Sequence, residues 1–290
     1  MKIKDVKKMK QPWDRFLYWI SERESIRKKR EKNLPAPWTD DEILQRYRFC
    51  NVRRMDDKVS RWLLTNWYEP YFNHPNILAA VALARFFNKP ESLGLIAPFL
   101  FDDEIGWGII ETTLRASKKN GPVFNGAYMV RGNSTKSPDK IGTVVDEYVR
   151  PLVESSKEGR IVYPESMEKT HSTISCFYGF GSFMAGQVVA DLRWAVSGTW
   201  LDRKKWAPIG PGSARGLNRL YGFSPKSSQS KQEFEGMLED TISLCYKRVP
   251  KSISSRCEAI DFQNCLCEFD KYERALGGEG KPKQLYRGAL

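Results

Sequence analysis

The stretch DFQNCLCEFDKYERAL, residues 261–276, carries the side chains best suited to acid–base chemistry in this sequence. On a helix advancing about 100° per residue, Asp261, Asn264, Glu268, Lys271 and Tyr272 share one polar stripe. Phe262, Cys265, Leu266 and Phe269 fall on the neighbouring face and would hold that helix against a core. Two carboxylates, an ammonium and a phenol in one line suit a pocket wall where protons are exchanged. The same pattern suits a solvated helix face.

Other stretches carry complementary groups. RYRFCNVRRMDDKVSRW, residues 46–62, mixes Arg53 and Arg54 with aromatics and Asn51. Arginine forks grip phosphates and an asparagine reads a base edge, although Asn51 at a charged helix end would equally cap the next helix. In YGFGSFMAGQVVADL, residues 178–192, Gly179 and Gly181 fit a helix-hairpin-helix element that brings backbone N–H groups to a DNA phosphate. A plain packing turn would need the same glycines. IGPGSARGLNRL, residues 209–220, is glycine-rich ahead of a helix. Gly212, Ser213 and Arg215 there fit an anion nest, and Asn218 joins the DNA-binding set; a Pro/Gly turn with a helix cap is the alternative. GPVFNGAYMVRG, residues 121–132, sets Asn125 and Tyr128 in a glycine-flanked loop able to receive an extruded base, or simply a turn around Asn-Gly.

These groups must be positioned by helices. The chain has 290 residues, 41% hydrophobic and 12% aromatic, enough for a substantial core in one large domain. Trp13, Phe16, Leu17 and Ile20 have helical spacing within a basic N-terminal helix expected over residues 1–33. Thr39 with Glu42 reads as a capping box for the next helix. Helical patterns recur to residue 276 without sustained strand alternation, and 277–290 reads as a flexible tail. The expectation is a mainly α, multi-helix single domain over 1–290.

Composition narrows the function classes. Lys plus Arg exceed Asp plus Glu by 47 to 35, a formal charge of +12, which suits a polyanion such as nucleic acid. Cysteines stand at 50, 176, 245, 257, 265 and 267 without a CxxC pair, and the two histidines, His74 and His171, lack ligand spacing, so neither a metal nor a cofactor is expected. The basic N-terminus lacks the apolar stretch of a secretory signal, and the apolar run at 77–87 is too short for a bilayer. The reading is an intracellular protein with no membrane partner. The phosphate-binding pattern GxxxxGK[ST] occurs nowhere, which disfavours ATP-driven phosphorylation.

Taken in order, PWTDDEILQRYRFCNVRRMDDKVSRWL, the FNGAYM loop, GFGSFMAGQVVADL, APIGPGSARGLNRL and DFQNCLCEFDKYER resemble the phage α-glutamyl/putrescinyl thymidine pyrophosphorylase family, the amino acid:DNA transferases of base hypermodification. The likeness runs over about residues 13–280. It implies a helical fold related to helix-hairpin-helix DNA glycosylases. The implied substrate is DNA whose 5-hydroxymethyluracil has been pyrophosphorylated by a separate kinase; an amine, an amino acid or putrescine, would displace the pyrophosphate. Host cytoplasm is the implied location for a phage protein. In that reaction Arg53, Arg54 and the 210–215 loop would stabilise the leaving charge. Asp261 or Glu268 would take the amine's proton, oriented by Lys271 and Tyr272, while Asn51, Asn125 and Tyr128 would identify the flipped base. Cys50 or Cys267 offers an alternative nucleophilic route through C6 of the ring. Base-excision glycosylases of the related fold use an Asp about twenty residues beyond the hairpin. Asp202 occupies that neighbourhood here without the expected flanks, which counts against glycosidic-bond hydrolysis. A non-catalytic DNA-binding accessory of the kinase is the third reading.

Overall fold

The computed structural model describes residues 1–126, 136–282 and 284–286. Among them the chain is helical, with no strand and one isolated antiparallel bridge, Tyr47 to Leu285. It opens with α1 (Ile3–Lys8), α2 (Pro12–Glu31) and α3 (Glu42–Arg46). A second run follows: α4 (Lys58–Leu63), α5 (Ile77–Phe87), α6 (Pro90–Leu100), α7 (Trp107–Ser117), α8 (Lys140–Gly142), α9 (Arg150–Glu158), α10 (Met167–Ser175) and α11 (Gly181–Ala195). The chain closes with α12 (Pro211–Leu220), α13 (Lys231–Arg248), α14 (Lys251–Ser254) and α15 (Ala259–Leu276). Two compact units result: the first combines Met1–Asp57 with Arg203–Leu290, and the second is Lys58–Asp202.

The first unit is organised on α15. Phe262, Cys265, Leu266 and Phe269 are fully buried, as the helical spacing predicts. Phe269 packs on Phe16 of α2 with ring centroids 5.1 Å apart. Each such aromatic withdraws about 1.5–3 kcal/mol worth of apolar surface from water. Arg15 of α2 grips Glu273 with two bonds of 2.8 and 2.7 Å, fixing α2 along α15. The basic N-terminal segment is two helices rather than one, broken at Met9–Gln11, and Pro12 starts α2 where its missing N–H costs nothing. The cap of α3 is Asp41 rather than Thr39. Its Oδ1 accepts from Ile43 and Leu44 N–H, while Thr39 Oγ1 takes the N–H of Asp41. Within 277–290, residues 284–286 lie against Arg46–Arg48: Arg48 N donates to Gln284 O and Tyr286 N to Arg46 O.

Glycine decides how closely α12 lies on α15. A Cβ at Gly212 would sit 2.2 Å from Cys267 Sγ, and one at Gly216 would sit 2.3 Å from the Leu266 carbonyl oxygen. The i, i+4 glycine pair lets the two backbones approach as side chains would forbid.

In the second unit, α10 and α11 form a helical hairpin joined at Cys176–Phe180. Gly179, at φ +86°, has no room for a side chain, because a Cβ would meet the Tyr148 ring at 2.2 Å. A buried cluster ties α5 to α11: Asp191 accepts from Tyr68 Oη at 2.5 Å and is paired with Arg85.

Candidate active site

The site is built where the loop 49–57 meets α15 in the first unit. Asp261 stands at the start of α15 and is 2% exposed. Its Oδ2 accepts from Glu258 N at 2.9 Å and its Oδ1 from Arg54 N at 2.8 Å. It caps its own helix and pins the loop to it, so both oxygens are engaged in positioning. The expected role as a base does not suit this geometry.

Glu268 and Lys271 lie on the stripe as expected. Glu268 is 3% exposed, whereas the Lys271 side chain is 39% exposed. Lys271 Nζ donates to Glu268 Oε1 at 2.5 Å, and the other oxygen, Oε2, accepts the backbone N–H of Cys50 at 3.1 Å. A one-turn pair on a helix thus presents an ammonium outward on a buried carboxylate anchor. Burial works against that ammonium, but the charge and hydrogen bond of Glu268 outweigh it and raise the Lys271 pKa.

The next amide along the loop points to a different carboxylate: Asn51 N donates to Asp57 Oδ1 at 3.3 Å. Burial pushes Asp57 up to about 6, and the charge of Glu268 adds, against the Asn51 N–H, Arg23 and Arg54. Beneath the loop lies Arg23 of α2, 2% exposed. Its Nε donates to Cys50 O at 3.1 Å and its Nη2 to Phe49 O at 3.0 Å and Asn51 Oδ1 at 2.6 Å. Asn51 Nδ2 donates to Asp56 O at 2.8 Å. The Asn51 amide is therefore fixed at both ends and serves the loop rather than a base edge.

Cys50 has exposed surface. Burial pushes the thiol well up, and Glu268 and Asp57 add to that against Lys271 and Arg23. Cys267 is raised for the same first reason, with Glu268 adding. Both cysteines are held as thiols, which opposes the nucleophilic route.

The 210–215 stretch departs from the anion-nest expectation. Ser213 Oγ takes the N–H of Gly210 at 3.0 Å and that of Gln263 Nε2 at 3.0 Å, closing the first turn of α12 and docking it on α15. Gly212 is required for that close approach. Arg215 Nε donates to Asp270 Oδ2 at 2.9 Å and keeps a partly exposed guanidinium. Asn218 is buried and its Nδ2 holds Pro225 O and Ser227 O, so it shapes a loop instead of meeting DNA. Arg53 is paired with Asp56 at 3.5 Å, and Arg54 contributes its backbone to Asp261.

Tyr272 corrects the stripe. It is fully buried, and its hydroxyl donates to Asp41 Oδ2 at 2.6 Å. Burial first, then Asp41, pushes its pKa up. One helical step beyond Lys271 it points into the core, where the phenol found a carboxylate partner.

Asn125, Gly179 and Gly181 belong to the second unit, and Tyr128 lies outside the described residues. Asn125 N donates to Phe87 O at 2.8 Å and its Nδ2 to Asn88 O at 3.0 Å, anchoring its loop to the end of α5. Gly181, at φ +52°, opens α11 with free space around it. Asp202 accepts from Ser166 Oγ, Met167 N and Glu168 N at 2.8–3.0 Å and caps α10. Among the described residues no three His, Cys, Asp or Glu side chains gather as a metal would require, and no helix is long and apolar enough to cross a membrane.

Sequence reasoning missed two features. Asp57 was hidden in the run RRMDDK, where adjacent acidic and basic residues read as a solvated helix end. The Gly212/Gly216 pair was legible as an i, i+4 small-residue motif but was absorbed into the loop reading.

The family described as "5-hmdU DNA kinase, helical domain" matches residues 10–281. The 5-hmdU DNA kinase of Bacillus phage SP10 is 26% identical over 293 residues, covering 90% of this chain and 44% of that protein. The chain thus spans less than half the length of this relative. No solved structure matches. With nearly its whole length matched, the chain belongs to the family of 5-hmdU DNA kinase helical domains.

Proposed function

We propose that this chain is a transferase of DNA base hypermodification that replaces the pyrophosphate of 5-(pyrophosphoryloxymethyl)uracil in DNA with an amine, an amino acid or putrescine. The observation that carries this reading is a helical domain of the 5-hmdU DNA kinase family in a sequence with no phosphate-binding loop motif. Such a domain would act on the kinase's product. In the reaction the amine nitrogen forms a bond to the C5 methylene as the C–O bond to pyrophosphate breaks. The electron pair leaves on the pyrophosphate oxygen, and the nitrogen's proton passes to a carboxylate. Lys271, held outward by Glu268, and the partly exposed Arg215 and Arg53 supply the cations that meet the departing charge. Lys28 and Lys29 on α2 and Lys32 just after it border a cavity of about 290 Å³ and add to the positive field that a DNA backbone would meet. The helical hairpin α10–α11 supports, within this proposal, a relation to helix-hairpin-helix glycosylases. Asp202 accepts three hydrogen bonds at the start of α10, which supports transfer over glycosidic hydrolysis.

A second reading, a non-catalytic DNA-binding accessory of the kinase, is favoured by the name of the SP10 relative. Incubation of the chain with pyrophosphorylated hydroxymethyluracil DNA and a panel of amines separates the two. Pyrophosphate release with a new nucleoside supports transfer, and DNA binding with no release supports the accessory role.

A further inference from the structure

We infer that Asp57, rather than Asp261 or Glu268, is the carboxylate that accepts the proton of the incoming amine, an assignment that rests on the transferase reading above. Three carboxylates converge on the loop 50–57, and hydrogen bonding sorts them. Both oxygens of Asp261 accept backbone N–H groups at 2.8 and 2.9 Å. Both oxygens of Glu268 are held, one by Lys271 at 2.5 Å and one by Cys50 N at 3.1 Å. Each of these four oxygens is already committed to a donor that fixes the loop or Lys271. Asp57 has one long bond, at 3.3 Å from Asn51 N, and its Oδ2 accepts no hydrogen bond among the described residues.

Its placement is also right. The amides of Cys50 and Asn51 are consecutive, so Glu268 and Asp57 are held by neighbouring peptide units, with the exposed residue Cys50 between them. An amine attacking beside the Lys271 ammonium would thus have, one peptide unit along the loop, a carboxylate whose Oδ2 accepts no hydrogen bond among the described residues. Below, the buried Arg23 supplies positive charge: its Nη1 has no hydrogen-bond partner among the described residues, and its field acts on Asp57. That cation, with Arg54, keeps Asp57 from becoming so basic that it is protonated at neutral pH, while burial and Glu268 lift it above an ordinary aspartate. Asp56 on the same loop is engaged with Arg27, Arg53 and Arg256 and does not compete. The proton moves from nitrogen to Asp57 Oδ2 as the C–N bond forms, and then to water.

The test uses the full chain, pyrophosphorylated hydroxymethyluracil DNA and glycine or putrescine, with pyrophosphate release followed across pH 5–9. In the wild type the rate rises with pH through a limb near 6. Asp57→Asn should lower kcat by about 100-fold or more, leave the KM for DNA unchanged and abolish that limb, and Asp57→Glu should restore part of the rate. A D57N rate within threefold of the wild type, with the limb intact, overturns the assignment and leaves the transferase reading standing. Absence of release by the wild type with every amine overturns both. Carboxyl ¹³C NMR of the wild type gives a readout independent of turnover. The resonance missing from D57N or D57E should titrate near pH 6 and shift when the amine is added; an unmoved resonance counts against the assignment.

Discussion

Replacing Gly216 with alanine tests whether the α12–α15 contact is set by backbone approach. The added Cβ would lie 2.3 Å from the Leu266 carbonyl oxygen, 2.8 Å from its carbon and 3.0 Å from Leu266 Cβ. Carbon–oxygen contacts settle near ~3.3 Å, so the helices must separate by about 1 Å. Overpacking of this kind costs about 1–3 kcal/mol, and the separation weakens dispersion along the interface as well. Alanine in a helix interior recovers only about 0.5–1 kcal/mol of backbone entropy, leaving a net loss of about 1–2 kcal/mol. Gly236 of α13 is the control, since a Cβ there meets nothing within 4 Å and the residue is solvent-exposed. G236A should gain about 0.5–1 kcal/mol. Thermal melting by circular dichroism reads both, with G216A lowering the midpoint by about 2–6 °C and G236A raising it. Because α12 carries Arg215 and α15 carries Lys271, G216A should also slow pyrophosphate release. A G216A protein as stable as the wild type would refute the packing argument, since helix propensity alone predicts stabilisation.

The other predictions concern single side chains. Asp41→Ala removes the cap of α3 and leaves the buried Tyr272 hydroxyl without its acceptor, at a cost of about 2–4 kcal/mol in urea unfolding. Asp57 has a folded pKa of about 6, above its unfolded value, so whatever stability its protonated form lends is full below about pH 4 and is lost as pH rises through 6. D57N should therefore match the wild type in stability at pH 4 and exceed it by about 1–2 kcal/mol at pH 7.5, checked by melting at both pH values. Cys50, exposed yet held as a thiol, should alkylate with iodoacetamide roughly 10-fold more slowly at pH 7.5 than a free cysteine, as peptide mass spectrometry will show. Lys271→Ala should lower kcat by about 100-fold, with Lys271→Arg recovering part of it.

The sequence made the framework of this site legible where local periodicity governs. Phe262, Leu266 and Phe269 face the core and Glu268 and Lys271 share the opposite edge because a 3.6-residue repeat places them so. Partners distant in sequence were not legible. Tyr272 meets Asp41 across 231 positions, and nothing local distinguishes a phenol that lines a pocket from one that caps a buried carboxylate. Asn51 and Asn125 were read as base-reading groups and Asn218 as DNA-binding, yet each donates to a backbone carbonyl, of Asp56, Asn88 and Ser227 in turn. Short polar side chains compete well for local backbone groups. Asp57 and Arg23 went unnoticed because burial, which gives them their character, is a property of the assembled unit.

The central claim is that an amine nitrogen comes to stand where pyrophosphate stood on the C5 methylene. Pyrophosphorylated hydroxymethyluracil DNA, the full chain and ¹⁵N-labelled glycine or putrescine, followed by nucleoside mass spectrometry, test it most directly. The account predicts a thymidine derivative carrying the label, with one pyrophosphate released per labelled base. DNA that is bound but returns its nucleosides unlabelled, with pyrophosphate still attached, would contradict it.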